Sequence, residues 1–266
     1  MICIRTERFP NLCYRKTGNG PAFVLVHGFP ENGDLWRKVV PALSESFTVI
    51  VPDLPGAGES TFTGDLSIED MADSLNLILE NEGIDKAVVA GHSMGGYTAF
   101  AFAERFKDKL AGLSLVHSTA SADDEEKKET RRKSIALIEK GGKDAFIRQM
   151  TPNLFSKKFK EEYPEVIEQQ VKRGLQLPAE SIIAFYKAMI NRPERVSILS
   201  SANYPVQWIV GKEDTIAPPE KIAEQSKLSD RTFVSVYPDV SHMSMLEDEK
   251  KLIEDLKKFT SYCFGN

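Results

Sequence analysis

The sequence of 266 residues is poor in cysteine and histidine and has no long hydrophobic segment. Cys3, Cys13 and Cys263 lack the spacing of a metal site, and their odd number does not suit a disulfide framework. We expect these thiols to stay reduced, with pairing of Cys3 and Cys13 under oxidising conditions as the alternative. No segment approaches the roughly 20 apolar residues of a membrane-spanning helix, and the charged N-terminus does not resemble a signal peptide. The sequence therefore predicts a cytoplasmic protein with no membrane partner.

Net charge is also small. The formal value is −5, so the chain lacks the electrostatic character of a protein that binds nucleic acid or an anionic membrane. Hydrophobic residues make up 41% and charged residues 27%, which is typical of a folded globular protein rather than a disordered one. The length suits one large domain, or one domain with an insertion, and leaves the oligomeric state open.

Short runs rich in valine, isoleucine and phenylalanine alternate with helical patterns. The runs predict an edge hairpin and six further strands, at 2–5, 12–16, 23–27, 47–51, 86–90, 113–116, 205–210 and 232–237. Several runs are apolar throughout, which is typical of parallel strands covered on both faces. The helical patterns lie at 34–45, 67–82, 95–106, 220–227 and 248–259. This alternation predicts an α/β fold with a doubly wound, mostly parallel sheet.

Two of these helices have clear boundary signals. Ser67 can cap the helix over 67–82, Asp70 follows it at the spacing of a capping box, and Gly83 ends the pattern. The helix over 248–259 begins with acidic residues and ends with lysines, and both ends therefore match the helix dipole.

The alternation stops between residues 119 and 196. This stretch has no convincing strand pattern, and it opens with a mixed charge run at 123–133 that is interpreted as a solvated helix face. Short helical patterns separated by glycine and proline follow. A helical block inserted between two core strands predicts a cap over the carboxyl edge of the sheet. The predicted domains are a core of 1–118 and 197–266 and a helical cap of 119–196.

A candidate nucleophile lies in a short glycine-rich motif. Residues 91–95, GHSMG, stand between a predicted strand and a predicted helix, the context that a G-x-S-x-G elbow requires. Ser93 would occupy a tight, strained turn, and Gly91 and Gly95 would leave room where side chains collide. The helix N-terminus behind the turn offers N–H groups to an oxyanion. The motif therefore predicts a serine hydrolase.

A serine hydroxyl needs a neighbouring base at neutral pH, and the chain has four histidines. His92 is adjacent to Ser93 and should point away from its hydroxyl, while His27 is interpreted as structural. His117 ends the fourth core strand and is interpreted either as a substrate contact or as a structural residue. His242 lies in the loop after the last strand, and such loops converge on one crevice at the carboxyl edge of a parallel sheet. His242 is therefore the candidate base.

The base needs a carboxylate that holds its tautomer and stabilises the imidazolium. Asp214 directly follows the predicted strand 205–210, in a loop that opens toward the same crevice. Glu213 is expected to point elsewhere, whereas Asp239, close to His242 in sequence, stays an alternative. Asp214 is the candidate acid.

With these residues placed, the chain resembles the α/β-hydrolase superfamily, whose triad has the chain order serine, aspartate, histidine. Residues 26–29, VHGF, are similar to its oxyanion loop, and the resemblance implies that the backbone N–H groups of Phe29 and Met94 bind the oxyanion. Residues 53–60, DLPGAGES, are similar to a turn that shapes the sheet edge, and residues 191–193, NRP, recur in capped members. The resemblance implies the α/β-hydrolase fold and covers about two-thirds of the chain.

One similarity points to another branch of that superfamily. Residues 27–31, HGFPE, with Trp36 after them, resemble epoxide hydrolases and dehalogenases, which attack with an aspartate in the elbow. This elbow carries Ser93, followed by Met94. A serine cannot form the ester that those reactions require from a carboxylate, so epoxide opening and dehalogenation are rejected.

The predicted reaction is two-step acyl transfer on a small to medium, partly apolar carboxylic ester. No metal and no cofactor is predicted, and the expected partner is a small-molecule substrate. The pocket candidates, which could instead form the core of the cap, are His117, Phe146, Met150, Leu154, Phe155, Phe185 and Met189. The same triad would serve hydrolysis of a carbon–carbon bond in a diketone, of a lactone or of a thioester. A small-molecule receptor is the alternative from another class.

Overall fold

One eight-stranded sheet forms the centre of the molecule, for which a computed structural model describes residues 1–265. Its strands are β1 Ile2–Ile4, β2 Leu12–Thr17, β3 Ala22–Val26, β4 Thr48–Pro52, β5 Ala87–His92, β6 Leu110–Val116, β7 Val206–Gly211 and β8 Thr232–Tyr237. Their spatial order is β1-β2-β4-β3-β5-β6-β7-β8. The pairs that involve β1 or β2 are antiparallel, and the remaining pairs are parallel. The predicted α/β fold with a mostly parallel sheet is confirmed.

Helices cover the sheet and fill the long connection between β6 and β7. They are α1 Val40–Leu43, α2 Ile68–Asn81, α3 Met94–Arg105, α4 Glu125–Leu137, α5 Lys143–Met150, α6 Lys157–Glu162, α7 Pro164–Gln176, α8 Ala179–Asn191, α9 Ser197–Ser200, α10 Pro219–Gln225, α11 Ser244–Glu247 and α12 Glu249–Cys263. Shorter non-α turns lie at Gly33–Trp36, Lys107–Lys109, Ile138–Gly142, Thr151–Leu154 and Ser226–Leu228. The capping box expected before α2 is present, because Ser67 accepts from the N–H of Asp70 and Asp70 accepts from the N–H of Ser67.

Alternate residues of β3 pack into two different hydrophobic clusters, as the period of two along a strand requires. Val24 and Val26 pack in one cluster with α2 and α3. Phe23 and Leu25 pack in the other, which includes residues of α12. The sheet is thus buried on both faces, which explains why its central strands read as continuous apolar runs.

The order of the sheet reverses between β3 and β5. From β3 the chain passes to β4 on one side, and it then returns to β5 on the other side. β3 and β5 run side by side in register from the pair Ala22 and Ala87 to the pair Val26 and Gly91. Open α/β sheets bind ligands in the crevice outside the carboxyl ends of two such strands. The two loops that leave these ends therefore place Phe29 and Ser93 at the mouth of the crevice.

The predicted helix over 34–45 is wrong. The structure has a short 3₁₀ turn at Gly33–Trp36 followed by the four-residue α1, because the ring of Pro41 near the start of α1 has no N–H to continue a helix from the turn before it. The last helix is also longer than expected. It runs to Cys263, so its lysines near 257 lie in its interior rather than in its last turn.

The expectation of three reduced cysteines is wrong for two of them. Cys3 and Cys13 face each other directly across the antiparallel pair β1 and β2 and form a disulfide, while Cys263 is a free thiol. The cross-strand register brings the two Cα atoms to 4.1 Å, which sequence spacing alone does not show. Disulfides persist mainly in oxidising compartments, so this bridge weakens the sequence argument for a cytoplasmic location.

Residues between β6 and β7 form helices α4 to α9 and no strand within the described chain. This segment packs on the loops at the carboxyl edge of the sheet. Arg173 donates to the carbonyl oxygen of Asp34 at 3.3 Å, and the N–H of His242 donates to the carbonyl oxygen of Leu154 at 3.0 Å. The exact division between core and cap stays a prediction. None of the helices in residues 1–265 is long and apolar enough to cross a membrane.

Candidate active site

The turn that carries Ser93 has the strained backbone expected of a nucleophile elbow. β5 ends at His92, α3 begins at Met94, and Ser93 between them has φ of 52°. A residue other than glycine rarely adopts a positive φ, and such strain persists only where the surroundings impose it. A Cβ atom at Gly95 would lie 2.5 Å from the carbonyl oxygens of Val26 and His27. The glycines thus allow the elbow to pack directly against the end of β3.

Two backbone N–H groups near the elbow, those of Phe29 and Met94, are the candidates for an oxyanion hole. Met94 is the first residue of α3, so its N–H belongs to the unsatisfied, positive end of that helix. Phe29 lies three residues after the end of β3, the strand next to β5. Among residues 1–265, neither N–H donates to a backbone acceptor. The fold therefore leaves both amides without a backbone acceptor, as an oxyanion hole requires.

His242 and Asp214 form a buried hydrogen-bonded pair. His242 Nδ1 lies 2.8 Å from Asp214 Oδ2, and both side chains are almost completely buried. The N–H groups of Ile216 and Ala217 donate to Asp214 Oδ1 at 2.8 and 2.9 Å. Burial alone would raise the pKa of Asp214, but the charge of His242 and the hydrogen bonds from the histidines lower it well below its usual value. Asp214 is therefore ionised, and because a carboxylate only accepts hydrogen bonds, Nδ1 of His242 is the donor in this pair.

His117 is bonded to the same carboxylate. Its Nδ1 donates to Asp214 Oδ2 at 3.2 Å, and its Nε2 accepts from the N–H of Ser244 at 3.4 Å. These two bonds define a neutral imidazole, and burial lowers the pKa of His117, although Asp214 opposes that shift. Asp214 thus accepts four hydrogen bonds, two on each oxygen. The structure places His117 behind the pair of His242 and Asp214 and not on the cavity wall.

The remaining two histidines hold the loops around the elbow. His92 Nε2 donates to the carbonyl oxygen of His242 at 2.9 Å, which ties the elbow to the loop of the candidate base. His27 Nε2 accepts from the N–H of Leu54 at 2.9 Å, and its Nδ1 donates to the carbonyl oxygen of Gly28 at 2.8 Å. Burial lowers the pKa of both histidines. Both are neutral structural residues, as their sequence positions predicted.

Ser93 and His242 line one cavity of about 150 Å³ at the crevice. Most of the remaining wall residues lie in the segment between β6 and β7: Lys127, Thr130, Arg131, Ser134, Met150, Leu154, Tyr186 and Met189. Phe29, Tyr97 and Ile216 complete the wall. Of the expected pocket residues, Met150, Leu154 and Met189 lie on this wall. His117, Phe146, Phe155 and Phe185 do not lie on it: the histidine is bonded to Asp214, and the three rings pack in the hydrophobic clusters without reaching the cavity.

The polar part of this wall is not among the residues expected from the sequence. Lys127 and Arg131 belong to the charge run that was interpreted as a solvated helix face, yet both line the cavity. Tyr97 and Tyr186 also line it. The spacing of four between Lys127 and Arg131 was visible in the sequence, but only the structure shows that Asp123 is the one buried acidic residue of the run. The buried carboxylate lies 2.7 Å from Arg131 Nε, and this contact depends on burial, which is not visible in the sequence.

The alternatives for the acid and the possible metal ligands can be compared by position. Asp239 is exposed and lines a separate surface pocket, and Glu213 is exposed.

His117, Asp214 and His242 bring three potential metal-ligating atoms within 4.8 Å of one another. The hydrogen bonds among these three side chains account for that proximity without any ion.

Comparison with known proteins gives one family. A model of the α/β hydrolase fold matches residues 21–249. The structure of a thermophilic esterase from Thermogutta terrifontis with malate bound is 33% identical and superposes with a TM-score of 0.93 over 98% of each chain. A pimeloyl-[acyl-carrier protein] methyl ester esterase from Pseudoalteromonas atlantica is 24% identical over 92% of this chain and 96% of its own.

A shorter similarity joins the chain to a soluble epoxide hydrolase from Corynebacterium sp. (strain C12). The two are 41% identical over 105 residues, which are 39% of this chain and 36% of that protein. The chain thus spans about a third of the length of several curated relatives that it matches.

Proposed function

The chain belongs to the α/β-hydrolase fold family, and from this membership we propose that it is a serine hydrolase that cleaves small to medium, partly apolar carboxylic esters. Ser93 is the nucleophile, His242 the base and Asp214 the acid that orients the base. The observation that carries the proposal is that Ser93 and His242 line the same cavity while Asp214 holds the other nitrogen of His242 at 2.8 Å. The esterases among the similar proteins support the same reaction class.

In the first half-reaction, His242 Nε2 takes the proton of the Ser93 hydroxyl as its oxygen attacks the ester carbonyl carbon. The N–H groups of Phe29 and Met94 donate to the oxygen that becomes negative in the tetrahedral intermediate. The intermediate collapses, the bond to the alkoxy oxygen breaks, and the imidazolium gives its proton to the leaving alcohol. The product is an acyl-enzyme on Ser93.

In the second half-reaction, a water molecule takes the place of the alcohol. His242 removes a proton from the water as its oxygen attacks the acyl carbon, and the same two N–H groups stabilise the second oxyanion. The bond to Ser93 then breaks, and the serine oxygen recovers the proton from His242. Ionised Asp214 stabilises the imidazolium in both halves without taking the proton itself.

We do not propose epoxide hydrolysis for this chain, although part of it is similar to an epoxide hydrolase. Epoxide opening in the branch that residues 27–31 resemble uses an aspartate in the elbow, and here the elbow residue is Ser93. We therefore retain ester hydrolysis. We also propose that the segment over 119–196 acts as a cap, since Lys127, Arg131 and Met150 of that segment form part of the cavity wall.

The test is covalent labelling with a fluorophosphonate, mapped by mass spectrometry, combined with rates on a panel of methyl and ethyl esters. Wild type should be labelled on Ser93, and Ser93→Ala should lose the label while its kcat falls by about 10⁴- to 10⁶-fold. Ser134→Ala is the matched control, because Ser134 lines the same cavity outside the elbow and its loss should leave the label in place.

Two outcomes would overturn the proposal. One is a label on any residue other than Ser93, or no label on a folded protein. The other is ester cleavage that stops near one product per protein, together with a ligand-dependent change in melting, since that pattern identifies a receptor. Lactones, thioesters and a diketone in the same panel test the other reactions open to this triad.

A further inference from the structure

Cationic side chains line the part of the cavity formed by α4. Lys127, Thr130, Arg131 and Ser134 all lie on the cavity wall, at the spacing of three and four that places residues on one face of a helix. The Arg131 side chain is only 12% exposed, so this guanidinium is largely removed from bulk water. A cation in such a position needs anionic partners to offset the loss of its hydration.

Within residues 1–265, one carboxylate, that of Asp123, pairs with three cations at this place. Asp123 lies 2.7 Å from Arg131 Nε, 2.9 Å from Arg192 Nη2 and 3.9 Å from Lys127 Nζ. Burial alone would raise the pKa of Asp123, but the two arginines lower it to about 2, so its negative charge is present at neutral pH. Two positive charges of the cluster remain in excess, and two of its three cations, Lys127 and Arg131, line the cavity.

The two arginines of this cluster differ in their remaining donors. Arg192 also donates to the carbonyl oxygens of Met189 and Ser121, at 2.7 and 3.0 Å, and its guanidinium lies over the ring of Tyr97. The Arg131 guanidinium also lies near an aromatic ring, 5.1 Å from the centre of Tyr186, but it meets its carboxylate through Nε alone, and its two terminal nitrogens make no hydrogen bond to a carboxylate of residues 1–265. The two terminal nitrogens of Arg131, which can recognise a planar anion in two-point contact, therefore have no carboxylate partner at the cavity wall.

We propose that Arg131 binds a carboxylate of the substrate, so that the enzyme prefers esters with a second, anionic group a few carbon atoms from the ester bond. This inference rests on the proposed esterase function and specifies its substrate class. A cavity of about 150 Å³ is comparable to a void that accepts one benzene molecule, which limits the spacer to a short chain. Met150, Leu154 and Ile216 give this spacer an apolar wall, and Lys127 adds a second positive charge.

The test compares anionic esters with neutral esters of the same shape. Monomethyl glutarate and methyl 5-oxohexanoate differ by exchange of a carboxylate oxygen for a methyl group and place the charge on the acyl side. Sodium 4-acetoxybutanoate and 5-acetoxypentan-2-one make the same exchange on the alcohol side. For at least one pair, kcat/KM of wild type should be about 10- to 100-fold higher for the anion, the range that one charge-assisted contact contributes.

Two substitutions distinguish a specific role of Arg131 from a general effect of positive charge on α4. Arg131→Gln should bring the anion-to-neutral ratio of kcat/KM close to one, mainly through KM of the anionic ester. Arg132→Gln is the control, because Arg132 neighbours Arg131 on α4 but its side chain is 49% exposed and pairs with Glu129. Arg132→Gln should keep the wild-type ratio. Calorimetric titration of Ser93→Ala, with and without Arg131→Gln, should show the same preference in binding without turnover.

The outcomes distinguish this inference from the function on which it rests. If wild type hydrolyses neither member of any pair, the esterase proposal fails. If it hydrolyses the neutral esters and shows no preference for the anion in either pair, only the role of Arg131 is overturned. A preference that survives in Arg131→Gln, or that disappears equally in Arg132→Gln, also overturns it.

Discussion

Replacement of Asp214 by asparagine tests the chemistry of the site with little change of shape. The carboxylate accepts two N–H groups on Oδ1 and two imidazole nitrogens on Oδ2, His242 at 2.8 Å and His117 at 3.2 Å. In Asp214→Asn the amide oxygen can keep the two backbone bonds, which turns the NH₂ group toward both imidazoles. His242 then has to present an unprotonated Nδ1 to this donor, and its proton moves to Nε2.

A histidine protonated on Nε2 cannot accept the proton of Ser93. We therefore expect kcat of ester hydrolysis to fall by about 10⁴-fold, the loss typical of a triad held in the wrong tautomer, which corresponds to about 5 kcal/mol of activation free energy. Steady-state rates and the rate of fluorophosphonate labelling should fall together, because both depend on the activated serine. Circular dichroism and thermal melting of the variant show whether it is folded.

Asp239→Asn is the control, since Asp239 is the other aspartate close to His242 in sequence and is exposed on a separate pocket. It should retain activity within about 2-fold of wild type, as is usual for exposed substitutions away from a site. The reasoning would be refuted by an Asp214→Asn enzyme that is folded and within 10-fold of wild type, or by a larger loss in Asp239→Asn.

Three further predictions concern the elbow, the edge of the sheet and the cap of α2. Gly95→Ala should destabilise the protein by about 1 to 3 kcal/mol in denaturant unfolding and abolish the label on Ser93, because the added Cβ meets the carbonyl oxygens of Val26 and His27. A stable, normally labelled variant would contradict this packing. Cys3→Ser should lose about 2 to 3 kcal/mol of unfolding free energy, as expected for a bridge that spans 10 residues. The measurement is thermal melting of the variant and of wild type, with and without reductant, and a wild type that is insensitive to reductant would show that no bridge forms. Ser67→Ala should cost about 1 kcal/mol in the same unfolding assay, since it removes the acceptor for the N–H of Asp70, and an unchanged midpoint would argue against the cap.

The patterns that the sequence revealed most reliably involve groups that are neighbours along the chain. The predicted strand over 232–237 matches β8, and the other core strands are displaced by at most three residues at either end. The elbow at Ser93 and the capping box at Ser67 were also visible, because each is formed by residues within a few positions of one another.

The patterns that the sequence did not reveal depend on which side chain is buried against which partner. The phenylalanines proposed for the pocket are apolar in the same way as Met150 and Met189, and only packing decides that the two methionines reach the cavity wall and the phenylalanines do not. The helical pattern over 34–45 was outweighed by a proline in the same stretch. The disulfide depends on the register of β1 and β2.

The sequence by itself determined the type of fold and the candidate nucleophile, base and acid, because hydrophobic period, glycine spacing and the ends of strands are local properties. Only the tertiary structure decided that Asp214 serves His117 as well as His242, and that Arg131 faces the cavity instead of the solvent. Those outcomes depend on the burial of charged groups far apart in the chain. A polar group removed from water takes whichever partner the completed packing offers, and that choice is made in three dimensions.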